Sequence, residues 1–157
     1  MSNRKKIVYR ISSEKYSKTL SSSGQANRWN KDGQYVIYAA ESRSLASLEL
    51  VVHRAAIRPH LVYKVLLIEL DVSESQILKV NHSDLPENWR SVQSYNKLQE
   101  IGSDWYLSKK KLILKIPSAV IPFEYNFVIN TKHELYTSKV KIIKREDFFW
   151  DNRLLEP

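Results

Sequence analysis

Cysteine is absent from this 157-residue chain, which excludes disulfides, thiolate catalysis and any zinc site built on sulfur. Glycine occurs only three times, so neither the glycine-rich dinucleotide fingerprint nor a phosphate-cradling P-loop can be assembled. A bound nucleotide has to be held by side chains and isolated backbone amides. No apolar run reaches the ~18 residues of a membrane span. The N-terminus MSNRKKIVYR shows no apolar stretch followed by a small-residue cleavage site, and a soluble, cytoplasmic protein is expected. His53, His60, His82 and His133 lack HxH or HExxH spacing, so no metal site is expected. With five prolines and no repeated or low-complexity segment, no linker is visible, and one domain over residues 1–157 is the expectation.

Charge, by contrast, is plentiful and uneven. The formal net charge is +8. Arg4, Lys5, Lys6, Arg10, Lys15, Lys18 and Arg28 face only Glu14 in the first thirty residues, and Lys109, Lys110, Lys111 and Lys115 form a second cluster. Such a field favours a polyanionic partner: nucleic acid, a phosphorylated small molecule or an acidic protein. A solvated surface with a lysine excess accounts for the same numbers.

Along the chain, KIVYRIS (6–12) reads as a strand. The serine-rich loop SSEKYSKTLSSSGQANRWNKDGQ follows; at 23 residues it exceeds the ~12–15 beyond which loops tend to be functional, and it is expected to cover a site. YVIYAA (35–40) is β-branched and aromatic, a buried strand. A helix follows over ESRSLASLELVVHRAAI, N-capped by Ser42 and ended by Arg58-Pro59. Further strands are expected at VYKVLLIELDV (62–72), QILKV (76–80), KLILKIP, FVIN and KVKIIKRE. A second helix is expected around 91–108, with Gly102 as its weak point. Trp29, Trp89, Trp105 and Trp150 are read mainly as core or interface residues. This order argues for an α+β fold, a mixed sandwich or split sheet, and against a regular doubly wound one.

One residue stands out. At about 100° per residue, the segment SLASLELVVHR places Leu45, Leu48, Val52 and Ala56 on an apolar stripe, with Glu49 inside it. Arg43, Ser47 and Arg54 offer a polar face on the other side. A carboxylate on an apolar face must be paired, protonated or open to a cleft. It is therefore either a member of an interior ion pair or the floor of a pocket. Arg28, in ANRWN, is the natural residue to sit opposite, offering a planar fork for phosphate or carboxylate. Tyr38, ending the next strand, offers a flat face and a hydroxyl. Taken by themselves, these residues read more readily as a surface charge at Arg28 and a core aromatic at Tyr38. Ser118 lies in LKIPSAVIP, where Pro117 and Pro122 bracket a strand end and expose a hydroxyl. No His-Asp pair stands at an offset that would activate it.

VYRIS, GQANRWNKDGQYVIYAAESRSLASLE and IGSDWYLSKKKLILKIPSAVIPFEYNFVINTKH resemble, in order and spacing, the successive blocks of RES-domain proteins, over nearly the whole chain from Ile7 to beyond His133. That resemblance implies a fold like the diphtheria-toxin-type ADP-ribosyltransferases, with mixed β-sheets flanked by helices. It implies a bacterial toxin that breaks down NAD and is neutralised by an Xre-like protein antitoxin, with toxin dimers inside a larger assembly. NAD is then substrate, and no separate cofactor is implied. The family's arginine, tyrosine, glutamate and serine fall on Arg28, Tyr38, Glu49 and Ser118. Arg28 would hold the pyrophosphate, Tyr38 would pack on the nicotinamide or its ribose, Ser118 would orient the ribose, and Glu49 would stabilise the charge that develops there.

Three other readings stand beside this one. The same cleft could pass ADP-ribose to phosphate or to a protein side chain instead of water. The charge and interleaved aromatics suit a nucleic-acid-binding module or ribonuclease, although no RNP-like block or His pair accompanies them. A catalytically inactive interaction partner is the third.

Overall fold

The structure is a computed structural model that describes residues 4–52, 58 and 60–154. Its elements are β1 (Arg4–Ser13), β2 (Val36–Ala40), α1 (Arg43–Val52), β3 (Tyr63–Val72), β4 (Ile77–Lys79), α2 (Tyr95–Ser108), β5 (Ile113–Pro117), β6 (Tyr125–Asn130), α3 (Tyr136–Lys139) and β7 (Val140–Phe148). The strands form one seven-stranded sheet in the order β4-β5-β6-β2-β1-β3-β7. Only β4 and β5 run parallel; every other neighbouring pair is antiparallel. The expected α+β class with a mixed sheet is what the chain adopts.

The sheet is nearly two sheets. β1 pairs with β3 along its whole length, from Arg4 opposite Val72 to Ser13 opposite Tyr63, whereas β1 meets β2 at the single pair Tyr9–Ala40. Beyond that pair the Arg10 guanidinium stands in for the ladder, Nη1 donating to the Tyr38 carbonyl at 2.9 Å. An opened ladder leaves backbone groups that need other partners. The opening is where the site lies.

Period-2 alternation sends residues to both faces. Val8, Ile37, Ala39, Leu66, Ile68, Leu70, Ile113, Phe127 and Ile129 build the core on one face. On the other, Val36, Leu114, Ile116 and Val128 pack with Trp29, Trp89, Leu98 and Trp105. α1 closes a third, smaller cluster, setting Leu45 and Ala46 on Ala40 beside Tyr9 and Ile11. Trp29, Trp89 and Trp105 are core residues as expected, and Trp150 packs edge-on against Phe148 and Tyr63.

Local differences from the sequence reading have physical causes. α1 starts where Ser42 predicts it, the Ser42 hydroxyl accepting the Leu45 N–H at 3.1 Å. Its buried line, however, is Leu45 and Ala46 rather than Leu45, Leu48 and Val52, and Val52 is 56% exposed. The helix is rolled so that Glu49, one turn beyond Leu45 and Ala46, faces the sheet opening. His53, Arg54, Ala56 and the expected helix end at Pro59 lie outside the described residues. α2 begins at Tyr95 after a 3-10 turn at Val92–Ser94. Gly102 is no weak point: a Cβ there would sit 1.6 Å from the Trp29 carbonyl oxygen, so the helix touches the backbone of the loop and only glycine fits.

Candidate active site

A cleft of about 380 Å³ opens where the two halves of the sheet part, within the ~300–1,000 Å³ range of small-molecule sites. β1 contributes Tyr9, Arg10 and Ile11 to it, β2 contributes Tyr38, and α1 contributes Glu49 and Leu50. The serine-rich loop supplies one wall, from Ser21 to Asn30. That loop does cover the site.

Glu49 is half-buried in this cleft. Its Oε1 accepts hydrogen bonds from Ser118 Oγ at 3.0 Å and from Asn126 Nδ2 at 2.8 Å. Among the described residues no cation is ion-paired with it and Oε2 has no hydrogen-bond partner. Two donors on one oxygen fix the carboxylate's orientation while the second oxygen stays available. Of the two sequence alternatives, a pocket floor rather than an interior ion pair describes this geometry. Asn126 was not singled out from the sequence. It follows Tyr125 in a strand whose alternation sets Asn126 on the face of Val128, so a polar side chain on a buried face was the available signal.

Arg28 is held from behind. Its Nη1 donates to the Arg90 carbonyl at 2.9 Å and the Trp89 carbonyl at 3.4 Å, and its guanidinium lies 4.7 Å from the centroid of the Tyr95 ring. Neutral carbonyls and a ring face orient the cation without cancelling its charge. α2 fixes the segment that carries it. Gln99 donates to the Asn27 carbonyl at 2.8 Å, Gln34 donates to Ser103 Oγ at 2.8 Å, and the Tyr35 N–H reaches the Tyr106 hydroxyl at 3.2 Å. Tyr95, Gln99, Gly102, Ser103 and Tyr106 follow helical spacing, so one face of α2 grips the loop.

Tyr38 lines the cleft, while its hydroxyl is committed to the loop. The O–H donates to Asn30 Oδ1 at 2.6 Å and accepts the Trp29 N–H at 3.1 Å. Burial pushes this phenol well above the usual tyrosine range, so it stays neutral. Ser118 does not lie on the cleft wall. It is 1% exposed, and its oxygen accepts the N–H groups of Val120 and Ile121. The serine reaches the site only through Glu49.

In the sequence Arg10 is one cation of the basic field, and the structure makes it a cleft residue. Beyond the Tyr38 carbonyl, no carboxylate among the described residues pairs with it. Burial lowers its affinity for the proton, though a guanidinium remains charged at any physiological pH. Arg10 shares the β1 face of the buried Val8, the side away from Glu49, and it reaches the cleft because the sheet opens beyond Tyr9 and its Nη1 turns in to the Tyr38 carbonyl. Arg10, Arg28 and Glu49 together give a cleft with two cations and one carboxylate. Asn130 and His133, by contrast, form a structural turn: Asn130 donates to the Tyr106 carbonyl at 3.0 Å, and His133 Nδ1 accepts the Leu135 N–H at 3.0 Å.

Among the described residues, no group of three or more His, Asp or Glu side chains could hold a metal ion, and no helix is long and apolar enough to cross a membrane.

The family model of the RES domain matches residues 7–151. The chain is 32% identical to Toxin Res of Photorhabdus laumondii, covering 96% of this chain and 97% of that one. It is 31% identical to Toxin Res of Yersinia enterocolitica, covering 94% and 99%. It is 30% identical to the Prs ADP-ribosylating toxin of a Sphingobium species, covering 82% and 80%. In fold it is similar to a chain of the Mycobacterium tuberculosis MbcT-MbcA toxin-antitoxin complex, with a TM-score of 0.72 at 15% identity, covering 94% of this chain and 86% of that one.

Proposed function

This chain belongs to the RES-domain family of toxins, and we propose that it acts by cleaving the nicotinamide N-glycosidic bond of NAD. The observation that carries the reading is Glu49: a carboxylate fixed through Oε1 by Ser118 and Asn126, with Oε2 unpartnered among the described residues, on the wall of a cleft that also holds Arg10 and Arg28. Breaking the bond between ribose C1′ and the pyridinium nitrogen sends the bonding pair to nicotinamide, which leaves neutral. Positive charge develops on the ribose, as in glycoside hydrolysis. A fixed carboxylate in a partly desolvated cleft stabilises that charge far better than one in water.

The leaving group needs no proton, which suits a cleft in which the tyrosine is held neutral by burial. The two guanidiniums suit the anionic pyrophosphate, Arg28 anchored through Nη1 by backbone carbonyls and Arg10 in the sheet opening. The ring of Tyr38 offers a face to the nicotinamide or its ribose. Ser118 works behind Glu49, as a positioning residue. The proposed acceptor at C1′ is water, whose oxygen bonds to C1′ as the C1′–N bond breaks and whose proton passes to solvent.

A second reading has its own support: the relative named for ADP-ribosylating Prs is 30% identical over 82% of this chain. The same cleft then passes ADP-ribose to a protein nucleophile. A protein antitoxin is the proposed partner, in keeping with a fold neighbour solved as a toxin-antitoxin complex, and its Xre-like type rests on the family resemblance alone. A toxin homodimer inside that assembly, and a cytoplasmic location, belong to the same proposal.

The test is NAD consumption by purified protein, with Glu49→Gln in parallel. Free nicotinamide and ADP-ribose from wild type alone support hydrolysis. Nicotinamide with an ADP-ribose adduct on an added protein supports transfer. Intact NAD under every condition overturns both.

A further inference from the structure

We propose that the sheet face turned away from Glu49 carries a second anion site, in which Lys6, Lys79 and Lys115 hold an oligophosphate group. Three strands bring these lysines together. Lys79 on β4 and Lys115 on β5 are directly paired across parallel strands, and Lys115 pairs with Phe127 on β6. The Lys79 and Lys115 ammoniums lie 4.9 and 4.8 Å from the centroid of the same Tyr125 ring. Those of Lys6 and Lys115 lie 5.2 and 5.7 Å from that of Phe127. Tyr125 and Phe127 alternate along β6 with Asn126, the Glu49 donor, so strand geometry puts the lysines on the opposite side of the sheet from Glu49.

The cluster is only partly compensated. Like charges directly opposite in a sheet repel, and among the described residues none of the three lysines is ion-paired with a carboxylate. Lys115 is held below the ordinary lysine range first by burial, then by Lys6 and Lys79. Glu41 and Glu74, the acids that face it, act more weakly than either lysine, and Glu41 already accepts the Tyr125 N–H at 2.8 Å. Aromatic faces relieve part of the repulsion. An anion would relieve the rest.

The chemistry selects a phosphate chain. The two rings of the cluster are already taken, Tyr125 by two ammoniums and Phe127 by burial, which disfavours stacking of a single-stranded base on them. Compact ammoniums on flexible stems bind phosphate oxygens as point charges. Two ammoniums on neighbouring strands and a third across Phe127 suit more than one phosphate group. The ligand is inorganic oligophosphate or the phosphate tail of a nucleotide, and the site is independent of the activity proposed for the cleft.

The experiment is calorimetric titration of the full chain with inorganic tripolyphosphate and, separately, with ATP, at about 0.15 M salt to suppress diffuse charge effects. Lys115→Gln should weaken tripolyphosphate binding about tenfold or more, the loss of one charge-assisted contact. Lys141→Ala, an exposed lysine on β7, should leave it within about twofold. Equal affinity for tripolyphosphate and ATP assigns recognition to the phosphate chain, and tighter ATP binding assigns it to a nucleotide; both support the site. Without ligand, Lys115→Gln should melt no lower than wild type, because a repulsion is removed, and added tripolyphosphate should no longer raise its melting temperature. Binding lost in Arg28→Ala but kept in Lys115→Gln would place the anion in the cleft and overturn the proposal. So would absence of saturable binding.

Discussion

Ser118 donates its hydroxyl hydrogen to Glu49 Oε1 at 3.0 Å while its oxygen accepts the N–H groups of Val120 and Ile121. A residue buried in the turn after β5 thereby sets the carboxylate of α1. Ser118→Ala leaves two backbone N–H groups without their acceptor and Glu49 with one donor. It should cost about 1–3 kcal/mol of stability, read by urea denaturation. NAD turnover should fall in kcat with KM little changed. Normal kcat in the folded variant would remove the positioning role.

Glu49→Gln keeps a carbonyl oxygen for Ser118 and Asn126, so its melting temperature should stay close to wild type while turnover drops by about two orders of magnitude or more, the scale on which preorganised charge acts. Glu49→Ala is the harsher variant, since it strands both donors. Kinetics and thermal melts on the pair separate chemistry from folding.

Gly102→Ala sets two effects against each other. Helix propensity favours alanine by about 1 kcal/mol, but the new methyl would lie 1.6 Å from the Trp29 carbonyl oxygen. Overpacking of this kind costs about 1–3 kcal/mol, and contact with a backbone atom leaves little room to yield. Net destabilisation is expected. Because the displaced segment carries Arg28, KM for NAD should rise; a more stable variant with unchanged KM would refute the close approach.

Tyr38 gives a pH dependence with a definite sign. Burial raises its pKa above that of the unfolded chain, so above pH ~10 the unfolded state sheds the proton first and stability falls as pH rises. Below that pH the contribution is fully present. Tyr38→Phe should be less stable at neutral pH by about 1–3 kcal/mol, the cost of leaving Asn30 Oδ1 and the Trp29 N–H unpaired. Its stability should decline less steeply than that of wild type between pH 9.5 and about 11, as denaturant titrations across that range will measure. Tyr136, also raised by burial, remains in both proteins and cancels in the comparison.

What the sequence by itself determined was periodic or local. Strands such as VYKVLLIELDV and YVIYAA bury alternating or continuous apolar residues whatever the rest of the chain does, and Ser42 caps α1 through atoms three residues apart. The misplaced charge of Glu49 was likewise visible, because a carboxylate among apolar helix positions carries a desolvation cost that some partner must offset. Only the tertiary structure decided which partner. Ser118 and Asn126 lie 69 and 77 residues from Glu49 along the chain, and no local spacing encodes a meeting at that distance. The parting of β1 from β2 after one residue pair turned Arg10 from one of many surface cations into a cleft residue. The approach of α2 to Trp29 likewise turned Gly102 from an apparent helix defect into a requirement. Local propensity fixes elements within a few residues, whereas a cleft is the space that elements leave when their cores are packed, and that space exists only once the chain has folded.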